Sequence, residues 1–139
     1  TIDAETGTTT IERITWVDDA GVVINPLLVE GQLLGGAAQG IGAAMMEQVV
    51  YDDGQLLTGS LMDYAVPRAS DMPPIRLFSQ PVPSPANPLG VKGVGEAGCI
   101  GVPAALLNAV MDALPPGTPD LSLPLTPEKV WRALTGKSL

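Results

Sequence analysis

The run from Val29 to Val50, VEGQLLGGAAQGIGAAMMEQVV, contains no proline and carries glycines at 31, 35, 36, 40 and 42. It is too long for a strand and rich in Ala, Leu, Met, Glu and Gln, so it predicts one long helix. Asn25 is a reasonable capping residue, and Pro26 stands where a missing N–H matters little. Each glycine weakens an exposed helix interior by about 0.8 to 1 kcal/mol relative to Ala, so something must compensate. The Gly31-to-Gly35 and Gly36-to-Gly40 spacings bare one side of the helix, where another backbone or a ligand can come close. A membrane span is disfavoured, because Glu30, Gln32, Gln39, Glu47 and Gln48 interrupt an apolar run that falls short of about twenty residues.

Residues 8–16 alternate, with Ile11, Ile14 and Trp16 among polar neighbours, the period of a half-buried strand. Glu5, Thr6 and Gly7 signal a turn before it, which implies a strand-turn-strand beginning whose first strand is cut short and whose partner is missing. Asp53-Gly54 marks a second turn, beside a short strand, and IRLFSQPV (75–82) reads as another strand. Prolines then crowd PVPSPANPLGVKGVGEAGCIG, an ordered glycine-rich loop of the kind that often carries function. Pro103 opens a helix, PAALLNAVMDAL, with Leu106, Leu107, Val110 and Leu114 on a buried face. After Pro115-Pro116, a polar linker leads to a terminal helix capped by Thr126, opened by Pro127 and closed by Gly136. The expected class is α+β: short strands in a mixed or antiparallel sheet, one long Gly-rich helix, a second helix after the GVGEAG loop and a short terminal helix. Residues 1–139 form one unit, with 116–139 as linker and terminal helix.

Acidic residues outnumber basic ones, fifteen against seven. That balance argues against a nucleic-acid surface, which depends on clustered Lys and Arg. A single cysteine, Cys99, and the absence of histidine rule out a zinc site of Cys and His spacing. The start at Thr1 lacks an initiator Met and any basic, apolar, small-residue order of a signal peptide, so the chain reads as an excised fragment.

The segment most suggestive of chemistry is NPLGVKGVGEAGCIG, where the lone carboxylate of Glu96 sits among glycines 90, 93, 95, 98 and 101 just ahead of a helix start. Glycines let a backbone come within hydrogen-bond reach of a bulky ligand, and nearby helix amides offer donors to negative charge. On the physical pattern alone, a surface loop acid, or one favoured by a helix dipole, is the stronger reading. A Walker-type phosphate loop fails because Lys92 precedes Gly93 and Val94, not Ser or Thr. A dinucleotide fingerprint fails because no buried strand leads directly into the loop.

The segments VINPLLVEGQLLGGAAQGIGAAMMEQVVYDDGQLLTGSLMDYAVPRASDMP and NPLGVKGVGEAGCIGVPAALLNAVMDAL together resemble the end of the molybdopterin-binding large subunit of the xanthine dehydrogenase and aldehyde oxidase family, and especially carbon monoxide dehydrogenase-like large chains. The resemblance spans residues 1 to 115. Its two motifs, INPxxVEGQ with GGxxQGIG and KGVGEAG, are specific when found in this order. The resemblance implies a molybdenum-dependent hydroxylase in which Glu96 is the active-site base, Gln32 hydrogen-bonds the cofactor, and the backbone of Lys92, Gly93, Val94 and Gly95 lies beside it. It further implies a molybdenum–molybdopterin cofactor in its cytosine dinucleotide form, and no metal ligand from this chain. Its implied partners are the upstream part of the same subunit, an iron–sulfur small subunit, an FAD medium subunit and a small-molecule substrate, in the cytoplasm. The fragment alone is expected to be inactive. Gln39 is expected to be a helix-packing hydrogen-bond donor, Asp63 and Tyr64 to shape the fold, and Cys99 to be a small buried residue. Two other readings stay open: a non-catalytic assembly module, and a small-ligand binder with a closed pocket of its own.

Overall fold

In the computed structural model, which describes residues 1–137, the expected helix begins at its proline and ends early. Helix α1 spans Pro26–Met45, following strand β1 at Ile14–Asp18. The Asn25 side chain accepts from the Leu28 N–H at 3.2 Å, which satisfies one of the free donors of the first turn. The last turn closes when the Met46 and Glu47 N–H groups both donate to the Gly42 carbonyl. Beyond it, β-branched Val49 and Val50 lead into a hairpin of β2 (Tyr51–Asp52) and β3 (Gln55–Leu56), so the stretch from Glu47 to Val50 is not helical as expected. Asp53 and Gly54, at φ 44° and 80°, form the hairpin turn where the sequence signals one.

Strand β4 (Ile75–Ser79) lies parallel to β1, with Ile14 opposite Ile75 and Trp16 opposite Leu77. The partner of the first strand is therefore within the chain, contrary to the expectation that it was missing. A parallel partner must return from a long crossover, here α1 and the hairpin, so no local turn signal announces it. The alternation at 8–16 blends two features: an antiparallel bridge of Ile2 with Thr9 across the initial turn, and β1 itself, which starts at Ile14. The parallel pair and the antiparallel hairpin give a mixed set of short strands within an α+β architecture.

Two apolar clusters hold the elements. Ala37, Ile41 and Ala44 of α1 meet Val102 and Leu106 of helix α3 (Val102–Ala113), with Ile14, Trp16 and Ile75 packed against them. The second cluster joins Val110 and Leu114 to Leu121, Leu125 and Val130, the last on helix α4 (Pro127–Thr135). The expected polar linker is thus part of the core: Leu121 and Leu125 are buried, while Leu123 between them is exposed, and the Leu125 N–H donates to the Ala44 carbonyl at 2.7 Å. Thr126 caps α4 and Gly136 ends it at φ 66°, both as the sequence predicts. Among the described residues no helix is long and apolar enough to cross a membrane.

Candidate functional site

The two motifs singled out in the sequence, far apart along the chain, meet on the surface of α1. A short helical turn, α2 (Ala97–Ile100), lies across α1 so closely that glycine is required on both sides. A Cβ on Gly36 would fall 2.6 Å from the Gly98 Cα and 2.9 Å from the Cys99 nitrogen. A Cβ on Gly98 would fall 2.6 Å from the Leu33 carbonyl oxygen and 2.8 Å from that of Gln32. One turn on, Gly40 makes room for Val102, at 2.7 Å from its Cβ. The expected bare side of the helix is real, and half of it is occupied by the loop that carries Glu96.

The other half is open. A Cβ on Gly31, Gly35, Gly93 or Gly95 would meet nothing within 4 Å, so nothing in this chain explains why these four positions lack a side chain. Gln32 and Glu96 are exposed, and neither side chain forms a hydrogen bond among the described residues. Glu96 occupies the N-cap position of α2 without capping it, at φ −108° and ψ −7°, so its carboxylate is not spent on the helix end. With only four residues, α2 offers a negligible dipole, so the expected anion-friendly helix terminus is absent. The loop supplies donors instead: the N–H groups of Gly93, Val94, Gly95 and Glu96 donate to no acceptor among the described residues.

What fixes this loop lies before Glu96. The Lys92 N–H donates to the Ala20 carbonyl at 3.1 Å and the Val22 N–H to the Gly90 carbonyl at 2.9 Å, an antiparallel bridge centred on Gly21 and Val91. Asn87 spans the same turn, donating to the Val91 carbonyl and accepting from its N–H. The Lys92 ammonium is engaged by Asp19. It contacts Asp19 Oδ2 at 2.5 Å, while Asp19 Oδ1 accepts from the N–H groups of Gly21 at 3.0 Å and Val82 at 2.9 Å. The Lys92 hydrogen bond and these two amide donors lower the Asp19 carboxyl from 3.8 to about 2. Asp19 is not among the residues expected above to be functional, and its one local signal is that an Asp two residues before a glycine favours an Asx turn.

Other expected residues divide. Asp63 accepts from Ser60 Oγ, and Tyr64 donates to Glu47 Oε2 at 2.5 Å, so both shape the segment beyond the hairpin. The carboxylate partner pushes the Tyr64 phenol above its ordinary 10.0. Gln39 is exposed and makes no hydrogen bond among the described residues, so it is not a packing donor within this chain. Cys99 is half-buried, its Sγ 3.3 Å from the Glu96 carbonyl oxygen. Among the described residues no group of three or more His, Cys, Asp or Glu side chains is gathered for a metal ion.

Residues 1–73 match the molybdopterin cofactor-binding domain family. The chain is similar to the nicotine 6-hydroxylase large subunit of Paenarthrobacter nicotinovorans, 48% identical over 137 residues, covering 97% of this chain and 17% of that protein. It is similar also to the carbon monoxide dehydrogenase large chain of Hydrogenophaga pseudoflava, 39% identical over 140 residues, covering 99% of this chain and 17% of the other. The crystal structure of quinoline 2-oxidoreductase from Pseudomonas putida 86 superposes with a TM-score of 0.91 at 45% identity, over 99% of this chain and 18% of that one. The likeness thus extends beyond the expected 1 to 115 and takes in the α4 segment, while this chain spans only 17% of the length of the curated relatives it matches. On the family match and the shared fold, the chain belongs to the molybdopterin cofactor-binding domain family.

Proposed function

We propose that the chain is the carboxy-terminal part of the molybdenum-bearing large subunit of a molybdenum hydroxylase, where it contributes the active-site base and one wall of the cofactor pocket. The observation that carries this reading is the close packing of Gly98 on Gly36, in which a Cβ on Gly98 would stand 2.8 Å from the Gln32 carbonyl oxygen, so the loop that carries Glu96 lies against the turn of α1 that carries Gln32. These surroundings suit a large pterin: glycines 93 and 95 with free space above them, consecutive N–H donors from 93 to 96, and a nearby Gln32 carboxamide with no other partner among the described residues.

When bound, the molybdenum cofactor supplies the redox chemistry that oxidises the substrate. Gln32 and the Gly93, Val94 and Gly95 amides would hold and orient it, and Lys92 would offer only its backbone carbonyl, since its N–H is committed to Ala20 and its ammonium to Asp19. The Glu96 carboxylate, with no hydrogen-bond partner among the described residues, accepts a proton at the reacting centre, for which it must come within about 3 Å of the donor. Covering this face with the rest of the subunit removes water from around Glu96 and strengthens its interaction with the charges there.

The cytosine dinucleotide form of the cofactor, an iron–sulfur subunit and an FAD subunit as electron acceptors, and a cytoplasmic setting complete the proposal. The substrate class we favour is a nitrogen heterocycle, because the relatives named for nicotine and quinoline share 48% and 45% identity, against 39% for the carbon monoxide enzyme. The test of the cofactor wall is Gln32→Ala and Gly95→Val in the complete subunit, with molybdenum and pterin measured per folded subunit. A wall position predicts reduced content in both variants. Wild-type content in both would favour the rival reading of an assembly module.

A further inference from the structure

We propose that Asp19 is a positioning residue, whose carboxylate holds the loop bearing Glu96 in register with α1 by joining three separate segments of the chain. The inference rests on the reading of Glu96 as the base, and its geometry stands apart from that reading. Oδ1 accepts from Gly21 and Val82, and Oδ2 from the Lys92 ammonium, so one side chain joins the end of β1, the segment after β4 and the start of the glycine-rich loop. From Lys92 onward no side chain before α2 makes a hydrogen bond among the described residues: Gly93 and Gly95 have no side chain, and the next backbone tie is the Ala97 N–H to the Val94 carbonyl at 3.3 Å. Three residues separate the Lys92 anchor from Glu96, and Gly98 clamps the far side against α1.

An isolated, partly exposed ion pair contributes little, and the Asp19 and Lys92 side chains keep 37% and 34% of their surface exposed. The difference here is that the same carboxylate also accepts from two backbone amides. Neutralising it weakens three charge-assisted contacts together. Loss of the tie frees the two-glycine stretch, and a base displaced by even a fraction of its hydrogen-bond length transfers protons less well while substrate binding is spared.

The experiment uses the complete subunit in its enzyme complex, with Asp19→Asn, which keeps the shape, and Lys92→Met, which leaves the Gly21 and Val82 contacts in place. Backbone amide hydrogen exchange at Ala97 and Cys99, whose N–H groups bond to the Val94 and Glu96 carbonyls, is expected to speed up by about threefold to tenfold in both variants. A similar fall in kcat per bound molybdenum, with KM within about twofold, is expected to accompany it. Lys92→Arg should recover most of the exchange protection. Unchanged exchange in both variants overturns the tie, and faster exchange with unchanged kcat overturns the positioning role. If Glu96→Gln retains full activity while Asp19→Asn still loosens the loop, the base assignment fails and the tie stands.

Discussion

Gly98 rests on Gly36 with no room for a methyl group on either: a Cβ on Gly98 would stand 2.8 Å from the Gly36 Cα. This backbone-on-backbone contact places the Glu96 loop on the Gly-rich helix. Because the obstructing atoms are main chain, they cannot rotate away as a side chain would.

Gly36→Ala and Gly98→Ala are therefore expected to destabilise the domain by about 1 to 3 kcal/mol each through overpacking. Denaturant unfolding of the complete subunit measures this. Gly31→Ala, which meets nothing within 4 Å in this chain, is the comparison. It should leave the Glu96 loop in place and lower cofactor content, because the space above it is the proposed pocket.

The segment between α3 and α4 supports the core. Leu125 is 1% exposed in a cluster with Val130 and Leu114, so Leu125→Ala should cost about 2 to 5 kcal/mol. Asp120→Ala, on the exposed side of the same segment, should stay within about 0.5 kcal/mol. Equal effects in an unfolding titration would mean that this segment does not pack as described.

The helix α1, its cap, the Asp53-Gly54 turn and both ends of α4 were legible because each depends on neighbours in sequence: Asn25 with Leu28, Thr126 with Lys129, glycine at a left-handed position. The pairing of Ile14 with Ile75 was not, since a parallel partner is chosen by packing on α1 and leaves no local mark. The burial of Leu121 and Leu125 was hidden for a similar reason: prolines around them read as a linker, while the surface they cover belongs to α3 and α4. For the site, the glycine spacing foretold a close approach but not what would approach. Glu96 and Gln32 were recognisable only through the resemblance. Asp19, at the end of a strand, gave only an Asx-turn signal, because its Val82 and Lys92 partners are distant in sequence.

Asp19 should also leave a signature in acid. Its carboxyl is lowered from 3.8 to about 2 in the folded chain, so its contribution to stability is full above 3.8, declines as pH falls through that range, and is lost below about 2. The difference in loop protection between wild type and Asp19→Asn should therefore narrow as pH falls from 3.8 to about 2, and should shrink with added salt because the group is exposed. A pH-independent difference would show that charge is not what holds the loop.

Tyr64 gives the opposite sign. Its phenol donates to Glu47 and titrates above 10.0, so the bond persists below that value and is lost as pH rises through the raised one. In an ultraviolet titration, Tyr64→Phe should remove a phenol that ionises late. Removal of one that ionises at or below the ordinary value would contradict the Tyr64–Glu47 contact.

The most direct test replaces Glu96 with Gln in the complete, cofactor-loaded enzyme and measures turnover against molybdenum content. Proton transfer by this carboxylate predicts a fall in kcat of at least about a hundredfold, with molybdenum content unchanged. Turnover at the wild-type rate would contradict it.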